Sequence, residues 1–339
     1  MPDAPLITDI AALLGLSAEQ AREIRLEPCG TGGNNRVYSA EYGGRKLLVK
    51  QYYRHPSDAR DRLHAEDTFL RYAAVAGIAC VPRTVAADAR LGLGCYEFVE
   101  GSKLEGPDVS AARVSEAAEF FLKLNDPAHR AAARILPRAS EACFSIGEHF
   151  AMVDRRTAQL AGIPDNADVD RAARDFVGEL AAAWEGVKHR IAREASGRSQ
   201  PLDAPVVEQC VSPSDFGFHN ALLRKTGELC FLDFEYAGWD DPAKMVGDFF
   251  SHPAVPVARE HFDRFVRLTM EFSPHARVLE ARARLLLPVF QTKWCCIILN
   301  EFIPEFARRR RFADPGVDEG GRKRRQLEKA RRLFASMEC

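Results

Sequence analysis

Residues 212–233 read SPSDFGFHNALLRKTGELCFLD, and this stretch indicates the fold more clearly than any other part of the chain. Asp215 and Asn220 lie five positions apart in a predicted loop. Asp233 follows the strand-like run Leu229–Leu232. A hairpin turning near Gly227 would bring Asp233 back beside the other two side chains.

Two carboxylates and an amide at this spacing suit phosphoryl transfer. That reaction requires little covalent chemistry from a protein. It needs oxygen ligands for a metal on the phosphates and a carboxylate beside the attacking hydroxyl. The stretch therefore predicts a site for Mg²⁺ and a hydroxyl nucleophile.

The bulk properties are those of an ordinary globular protein. The chain has 339 residues, enough for two lobes, and a formal charge of −1 that gives no general attraction to nucleic acid or anionic membranes. Its nine cysteines form no CxxC pair and are interpreted as reduced core thiols. No apolar run reaches the roughly 18 residues of a membrane span, and no basic region precedes an apolar one at the N-terminus. We therefore expect no membrane span and a cytoplasmic location.

A glycine-rich loop, CGTGGNN at residues 29–35, lies between two strand-like runs. Gly30, Gly32 and Gly33 would let backbone N–H groups approach a phosphate. Taken alone, such a cluster is more often a simple turn. No GxxxxGK[ST] motif occurs, so a Walker A loop is excluded.

Lys50 ends the apolar run Leu47–Val49. A lysine on the inner face of a strand needs an anionic partner, because an unpaired buried ammonium is costly. We predict that Glu66, on the following helix, is this partner and turns the ammonium toward nucleotide phosphates.

Hydrophobic periodicity divides the chain into three parts. Residues 1–25 are predicted to form a helical extension in which Ser17 and Gln20 complete a capping box. Residues 26–101 are predicted to form an antiparallel sheet with one helix, including a strand at Cys80–Val81. Residues 102–339 are predicted to be mainly helical and to contain the loop of Asp215.

The order of glycine loop, strand lysine, helix glutamate, Asp-x4-Asn, strand and aspartate resembles the aminoglycoside phosphotransferase and choline kinase family, a small-molecule branch of the protein-kinase-like fold. The resemblance extends from about Leu26 to Phe250. It implies an α+β fold of two lobes, with a small antiparallel sheet and one helix in the N-lobe and a larger, mainly helical C-lobe. It also implies ATP and Mg²⁺ as cofactors.

By this resemblance, Asp215 would be the catalytic base, and Asn220 and Asp233 would hold Mg²⁺. The hinge at Tyr96–Val99 would meet the adenine through its backbone. The residues that would bind the nucleotide are Gly30, Gly32, Gly33, Lys50, Glu66, Glu97 and Val99.

The sequence departs from the family pattern at the loop. Pro213 occupies the position where the family has a supporting histidine, so we expect a changed scaffold around an intact carboxylate. His219 is interpreted as a loop-packing or substrate-side residue, because one histidine cannot build a metal site. The interval between Asp233 and Asp241 is too short for a peptide-docking segment, which disfavours a protein substrate.

Three functions are compatible with these features. The first is an ATP-dependent kinase acting on a hydroxyl of a small molecule, and the second is a nucleotide-binding pseudoenzyme or regulatory module. The third uses the basic stretch from Arg308 to Arg332 to bind nucleic acid or an anionic surface. We favour the first, and we interpret the basic stretch as a solvated helix face.

The acceptor is left open among three classes. A sugar-like or amino-alcohol acceptor is favoured over an aminoglycoside. An aromatic cage for choline would draw on Trp184, Tyr236 and Trp239. A polycationic aminoglycoside would need acids in the helical lobe, for which the candidates are Asp165, Asp168, Asp170, Asp175 and Glu179. The oligomeric state and the choice between ATP and GTP are also left open.

Overall fold

The computed structural model describes residues 4–29, 35–55, 60–197, 201–306 and 318–337. The predicted glycine-loop residues Gly30, Gly32 and Gly33 lie outside these ranges, as do Arg308–Arg311 of the basic stretch.

Five antiparallel strands form the sheet that carries Lys50. The sheet order is β1-β2-β3-β5-β4, for strands β1 (Arg25–Pro28), β2 (Arg36–Tyr42), β3 (Arg45–Gln51), β4 (Thr84–Asp88) and β5 (Leu93–Glu97). Gly43 and Gly44 join β2 to β3 with positive φ angles, which L side chains rarely adopt. The predicted strand at Cys80–Val81 is wrong. These residues form a bend before Pro82, and the Cys80 carbonyl instead accepts a hydrogen bond from Phe231 N at 2.8 Å.

Each face of the sheet is covered by helices. Helices α1 (Ala4–Leu13) and α2 (Ala18–Glu23) cover one face, where Ile10 packs in a cluster with Val49. The predicted capping box is confirmed, since Gln20 N donates to Ser17 Oγ at 3.2 Å and Ser17 N donates to Gln20 Oε1 at 2.9 Å. Because strand side chains alternate, Lys50 points to the opposite face, where helix α3 (Arg62–Val75) lies.

The rest of the described chain is mainly helical. Its longer helices are α4 (Ala111–Leu124), α5 (Ile146–Leu160), α6 (Asp168–Gly197), α7 (Pro242–Ser251), α8 (Phe262–Met270), α9 (Ala276–Leu299) and α10 (Glu319–Ala335). Its short strands are β6 (Ser102–Lys103), β7 (Cys210–Ser212), β8 (Ala221–Leu223), β9 (Leu229–Phe231) and β10 (Gly238–Asp240). They form a three-stranded sheet, β6-β8-β9, and a two-stranded one, β10-β7. A single apolar core continues from Tyr96 in the first sheet to Phe290 in α9, so the two lobes share packing at the level of the cleft.

Helix α10 carries much of the basic stretch and packs against the helical lobe. Leu327 and Ala330 are buried in a cluster with α6 and α9. Lys323 pairs with Asp170 at 2.7 Å, and Arg322 pairs with Glu301 at 2.6 Å. Part of the positive charge is therefore neutralised within the fold.

The described helices include none that is both long enough and apolar enough to span a membrane. The described cysteines are free thiols, as expected.

Helices α7 and α9 approach so closely at Gly247 that a side chain does not fit. A Cβ at this position would lie 2.1 Å from Cδ2 of Phe290, a fully buried ring. We expect Gly247→Ala to lower the free energy of unfolding by about 1–3 kcal/mol, because overpacking outweighs the better helix propensity of alanine. Urea denaturation measures the change. Gly178→Ala is the matched control: its Cβ would meet nothing within 4 Å, and we expect a gain of up to about 1 kcal/mol. Equal stability of the Gly247 variant and the parent protein would contradict the close approach.

Candidate active site

Lys50 joins the sheet to helix α3 and to the loop after β9. Its Nζ donates to Glu66 Oε1 at 2.7 Å and to Glu66 Oε2 at 2.9 Å, so the predicted ion pair is confirmed. The same ammonium donates to Asp233 Oδ1 at 2.8 Å. One cation therefore links two of the predicted acids.

The electrostatics of Lys50 favour its charged form. Burial lowers the pKa of Lys50, but the carboxylates of Asp233 and Glu66 outweigh burial and hold the pKa well above its usual range. The Glu66 side chain is 2% exposed and that of Asp233 is 41% exposed. An anionic ligand entering the cleft would thus meet Lys50 from the open side, where Asp233 lies.

Two tyrosines and a backbone amide hold Glu66 in place. Tyr52 OH donates to Glu66 Oε2 at 2.5 Å and lies 2.6 Å from Tyr96 OH. Phe234 N donates to Glu66 Oε1 at 3.4 Å. Because both carboxylate oxygens are engaged, the orientation of Glu66 toward Lys50 is fixed by packing as well as by charge.

Asp215 lies on a loop between β7 and β8 that two phenylalanines anchor. Phe216 and Phe218 are 2% and 1% exposed and pack against Phe249 of α7. Asp215 and His219 instead line the cleft. The backbone turns sharply at Ser214, whose φ of 66° lies in the left-handed region. Burial of Phe216 and Phe218 thus holds the loop so that Asp215 and His219 face the cleft.

Three polar side chains surround the Asp215 carboxylate. Asn220 Nδ2 lies 3.3 Å from Oδ2 and also donates to the Asp215 carbonyl at 3.0 Å. His219 Nε2 lies 3.3 Å from Oδ1, and His252 Nε2 lies 4.0 Å from the same oxygen. Burial raises the pKa of Asp215, but His219, His252 and Asn220 together bring it well below its usual range. The group is an ionised hydrogen-bond acceptor at neutral pH.

His252 forms one wall of the Asp215 site. Its ring stacks on that of His219 with centroids 3.4 Å apart, and Trp294 packs edge-on at 4.4 Å. Burial, together with His219, lowers the pKa of His252 to about 3, so its imidazole is neutral. One nitrogen or oxygen atom from each of Asp215, His219 and His252 lies within 4.8 Å of the others, close enough for a shared metal ion. Folding places a second histidine, His252, against His219, so the premise of a single histidine is wrong, while the loop-packing or substrate-side role of His219 stays a prediction.

Asn220 and Asp233 lie at the same end of the β8–β9 ladder. Ala221 pairs with Phe231, and Leu232 N donates to the Asn220 carbonyl at 2.8 Å. Asp233 has a φ of 67°, which turns it out of the strand direction. Among the described contacts, Asn220 Nδ2 donates to Asp215, and Asp233 Oδ1 accepts from Lys50. Asn220 Oδ1 and Asp233 Oδ2 therefore remain as oxygen atoms that can bind a metal ion. This donor set fits Mg²⁺, which prefers oxygen ligands.

A buried lysine, Lys244, stabilises the loop that contains Pro213 and Asp215. Lys244 Nζ donates to Ser214 Oγ at 3.0 Å and pairs with Asp240 Oδ2 at 2.6 Å. Burial lowers the pKa of Lys244, but Asp240 and Asp248 outweigh burial and hold it well above its usual range. The loop next to Asp215 is therefore fixed from helix α7.

Glu235 adds a further contact beside the predicted glycine loop. Its carboxylate accepts a hydrogen bond from Asn35 Nδ2 and lies 3.7 Å from Arg62 Nε. Burial, together with Asp233, raises the pKa of Glu235 to about 7. Glu235 therefore connects the residue before β2, Asn35, with the segment that follows Asp233.

The predicted site residues in the described ranges line one cavity of about 1170 Å³. This volume exceeds that of a usual single-ligand pocket, so the cavity is large enough for two small molecules at once. At one end the lining includes Leu48, Tyr96, Glu97, Val99, Leu222 and Leu232. At the other end it includes Ser214, Lys244, Asp248, His252, Lys293 and Trp294.

Sequence reasoning missed most of the second end. Lys244 and Lys293 lie within helices and His252 directly follows one, and a lone lysine or histidine at such a position gives no local signal. Asp248, on helix α7, also lines this end of the cavity. The structure buries it against Lys244 at 3.3 Å and Trp294 Nε1 at 2.8 Å.

Comparison with known proteins identifies the family and the fold of this chain. The profile of the phosphotransferase enzyme family matches residues 25–264. No curated protein matches the sequence.

Similar solved structures include kinases of choline, of ethanolamine and of an antibiotic. A choline kinase from Cryptosporidium parvum Iowa II has a TM-score of 0.60 at 12% identity, covering 98% of this chain and 97% of that one. A choline/ethanolamine kinase family protein from Mesorhizobium loti has a TM-score of 0.59 at 19% identity, covering 97% and 95%. The AMP-bound complex of a spectinomycin phosphotransferase has a TM-score of 0.61 at 10% identity, covering 98% of each chain.

These likenesses confirm the fold that the sequence predicted, a two-lobed α+β fold of the protein-kinase-like type. The match over residues 25–264 covers most of the chain and confirms the resemblance on which the site residues were chosen. The chain belongs to the phosphotransferase enzyme family.

Proposed function

We propose that this phosphotransferase transfers the γ-phosphoryl group of ATP to a hydroxyl of a small molecule. The observation that carries the proposal is the convergence of Lys50, Glu66, Asp233, Asn220 and Asp215 on one cavity large enough for both substrates. Kinase-like neighbours with a bound nucleotide, such as the AMP complex of spectinomycin phosphotransferase, support the choice of an adenine nucleotide.

Each residue has a role that follows from its contacts. Lys50 binds the nucleotide phosphates from the closed side of the cleft, and Glu66 orients its ammonium. Asp215 accepts a hydrogen bond from the acceptor hydroxyl, orients its oxygen toward the γ-phosphorus and takes up its proton as transfer completes. Glu97 and Val99, at the apolar end, contact the adenine. The glycine-loop residues would cover the phosphates.

Asn220 Oδ1 and Asp233 Oδ2 would hold Mg²⁺, which when bound neutralises charge on the phosphates. Lys50 Nζ donates to Asp233 Oδ1, so the Asp233 carboxylate would interact with both cations.

The alternative of a pseudoenzyme was motivated by the missing loop histidine. Lys244 supplies a different support for the same loop, and the carboxylate of Asp215 is ionised and accessible, with 27% of its side chain exposed. These observations favour an active enzyme.

A screen of ATP consumption tests the proposal. With Mg²⁺ present, we expect ADP release that depends on an added acceptor, over a panel of sugars, amino alcohols and aminoglycosides. Thermal shift with Mg-ATP reports nucleotide binding separately. Nucleotide binding without transfer to any acceptor would favour the regulatory module, and absence of nucleotide binding would reject both.

A further inference from the structure

Lys293 lies on the wall of the cavity beside the proposed base. It is on helix α9, 2% exposed, and it lines the cavity together with its neighbour Trp294. Trp294 packs on His252, whose Nε2 is 4.0 Å from the Asp215 carboxylate. Lys293 and Asp215 therefore line the same cavity, and the helix that carries Lys293 also packs Trp294 beside the Asp215 site.

The ammonium of Lys293 is incompletely partnered. Within the described residues Asp248 is the one carboxylate that forms an ion pair with Lys293, Glu141 acts on it only through its charge, and an ammonium has three N–H donors. Asp248 is itself shared, since Trp294 Nε1 donates to it at 2.8 Å and Lys244 Nζ lies 3.3 Å away. Burial and the nearby Lys244 ammonium lower the pKa of Lys293, and the carboxylates of Asp248 and Glu141 offset this only in part. A buried ammonium in this state gains from a further anion.

The aromatic residues considered for a choline cage do not form one. Trp184 is 1% exposed, and the guanidinium of Arg130 lies 4.9 Å from the ring centroid of Trp239; neither ring lines the cavity in the described part of the chain. Tyr236 does line it, but the Arg60 guanidinium lies 5.7 Å from its centroid. Among the described residues, Tyr236 is therefore the one of these three rings that lines the cavity, and a quaternary ammonium there would be repelled by the Arg60 guanidinium.

The acids considered for an aminoglycoside also lie elsewhere. None of Asp165, Asp168, Asp170, Asp175 and Glu179 lines the cavity as far as the chain is described. Three of them pair with cations of the fold, as Asp170 does with Lys323 at 2.7 Å. The cavity does contain Glu141, but Arg156 pairs with it and holds its pKa at about 2 despite burial. A polycation would find few carboxylates that are not already neutralised.

We propose that the acceptor is a hydroxyl-bearing small molecule with an anionic group, a carboxylate or a phosphate, that binds Lys293 while its hydroxyl lies at Asp215. Lys293 is thus a specificity-determining residue. This inference rests on the proposed kinase function and narrows its acceptor class. The reaction is the same: the hydroxyl oxygen bonds to the γ-phosphorus of ATP, the bond to the β-phosphate bridging oxygen breaks, ADP leaves, and Asp215 takes the hydroxyl proton.

Acceptors matched in shape and different in charge provide the test. ADP release is measured with glucose, glucosamine, glucuronate and glucose 6-phosphate, and with choline and kanamycin. We expect kcat/KM for one of the two anionic sugars to exceed that for glucose by about tenfold to a hundredfold, the range for a charged hydrogen bond. Glucuronate and glucose 6-phosphate distinguish a carboxylate from a phosphate as the recognised group.

The variant Lys293→Met removes the charge and keeps the length of the side chain. We expect it to reduce the anionic advantage to about threefold or less while the KM for ATP stays unchanged, and Lys293→Arg to retain the advantage. Circular dichroism and thermal unfolding check that both variants are folded. A best acceptor that is neutral or cationic, or an anionic preference that survives in Lys293→Met, would overturn the inference and leave the kinase function standing.

A binding measurement keeps the inference testable if no sugar on the panel is phosphorylated. The change in tryptophan fluorescence is titrated with glucuronate and glucose 6-phosphate in the presence of Mg-ADP. Saturable binding in the parent protein and in Lys293→Arg, weakened about tenfold or more in Lys293→Met, supports the inference even where transfer fails. Absence of binding, or equal binding in all three proteins, overturns it.

Discussion

Asp215→Asn is expected to lower kcat by about 10²- to 10⁴-fold, the range for loss of a general base. Asparagine keeps the shape and one acceptor oxygen, so the loop contacts to Asn220 and His219 can persist in part. It cannot take the proton of the acceptor hydroxyl. Because we place Asp215 at the acceptor side of the cavity, we expect the affinity for Mg-ATP to change by less than about threefold. Steady-state ADP release and a nucleotide titration measure the two effects.

Asp175→Asn is the matched control for this substitution. It makes the same chemical change on an exposed face of α6, outside the residues found to line the cavity, and should leave kcat unchanged. If Asp215→Asn retained full turnover, the assignment of the base would be wrong.

Lys50→Met should impair both nucleotide binding and stability. It removes the cation that we place on the phosphates and leaves Glu66, 2% exposed, without its ion pair. Breaking one side of a buried pair costs about 3–5 kcal/mol, so we expect unfolding at clearly lower urea concentration. We also expect kcat/KM for ATP to fall by at least about a hundredfold, because a charged hydrogen bond to the phosphates and the orientation of Asp233 are both lost.

The double variant Lys50→Met with Glu66→Gln separates these two effects. Glutamine keeps an oxygen that can accept from Tyr52 OH, while the uncompensated charge is gone. We expect the double variant to regain most of the lost stability and none of the lost kcat/KM. Recovery of activity together with stability would mean that Lys50 acts through the fold alone.

The sequence predicted the parts of the site that depend on short-range geometry. The spacing of Asp215 and Asn220 and the return of Asp233 along β9 belong to one hairpin, so their proximity follows from local backbone structure. The pair of Lys50 and Glu66 was predicted because a buried ammonium on a strand needs an acid, and the next helix offered one. The capping box at Ser17 was predicted for the same kind of local reason.

The strand at Cys80–Val81 was predicted wrongly because the β-prone composition of this segment does not show which segment it pairs with. In the fold, Pro82 follows this segment and the Cys80 carbonyl pairs with β9 of the catalytic hairpin. The candidate cage residues Trp184, Tyr236 and Trp239 were likewise chosen by type. Their surroundings, from the burial of Trp184 to the guanidinium over Trp239, are set by helices far apart in the chain.

The sequence by itself determined the family and predicted the Lys50–Glu66 pair and the hairpin from Asp215 to Asp233, because each is encoded in a spacing that local backbone geometry converts into proximity. Only the tertiary structure decided the composition of the other end of the cavity. The packing of α7 against α9 brings Lys244, Asp248, Lys293 and Trp294 together, and the end of α7 places His252 on His219. No periodicity within either helix marks these residues, since a buried charge becomes meaningful only when its partner on another helix is known.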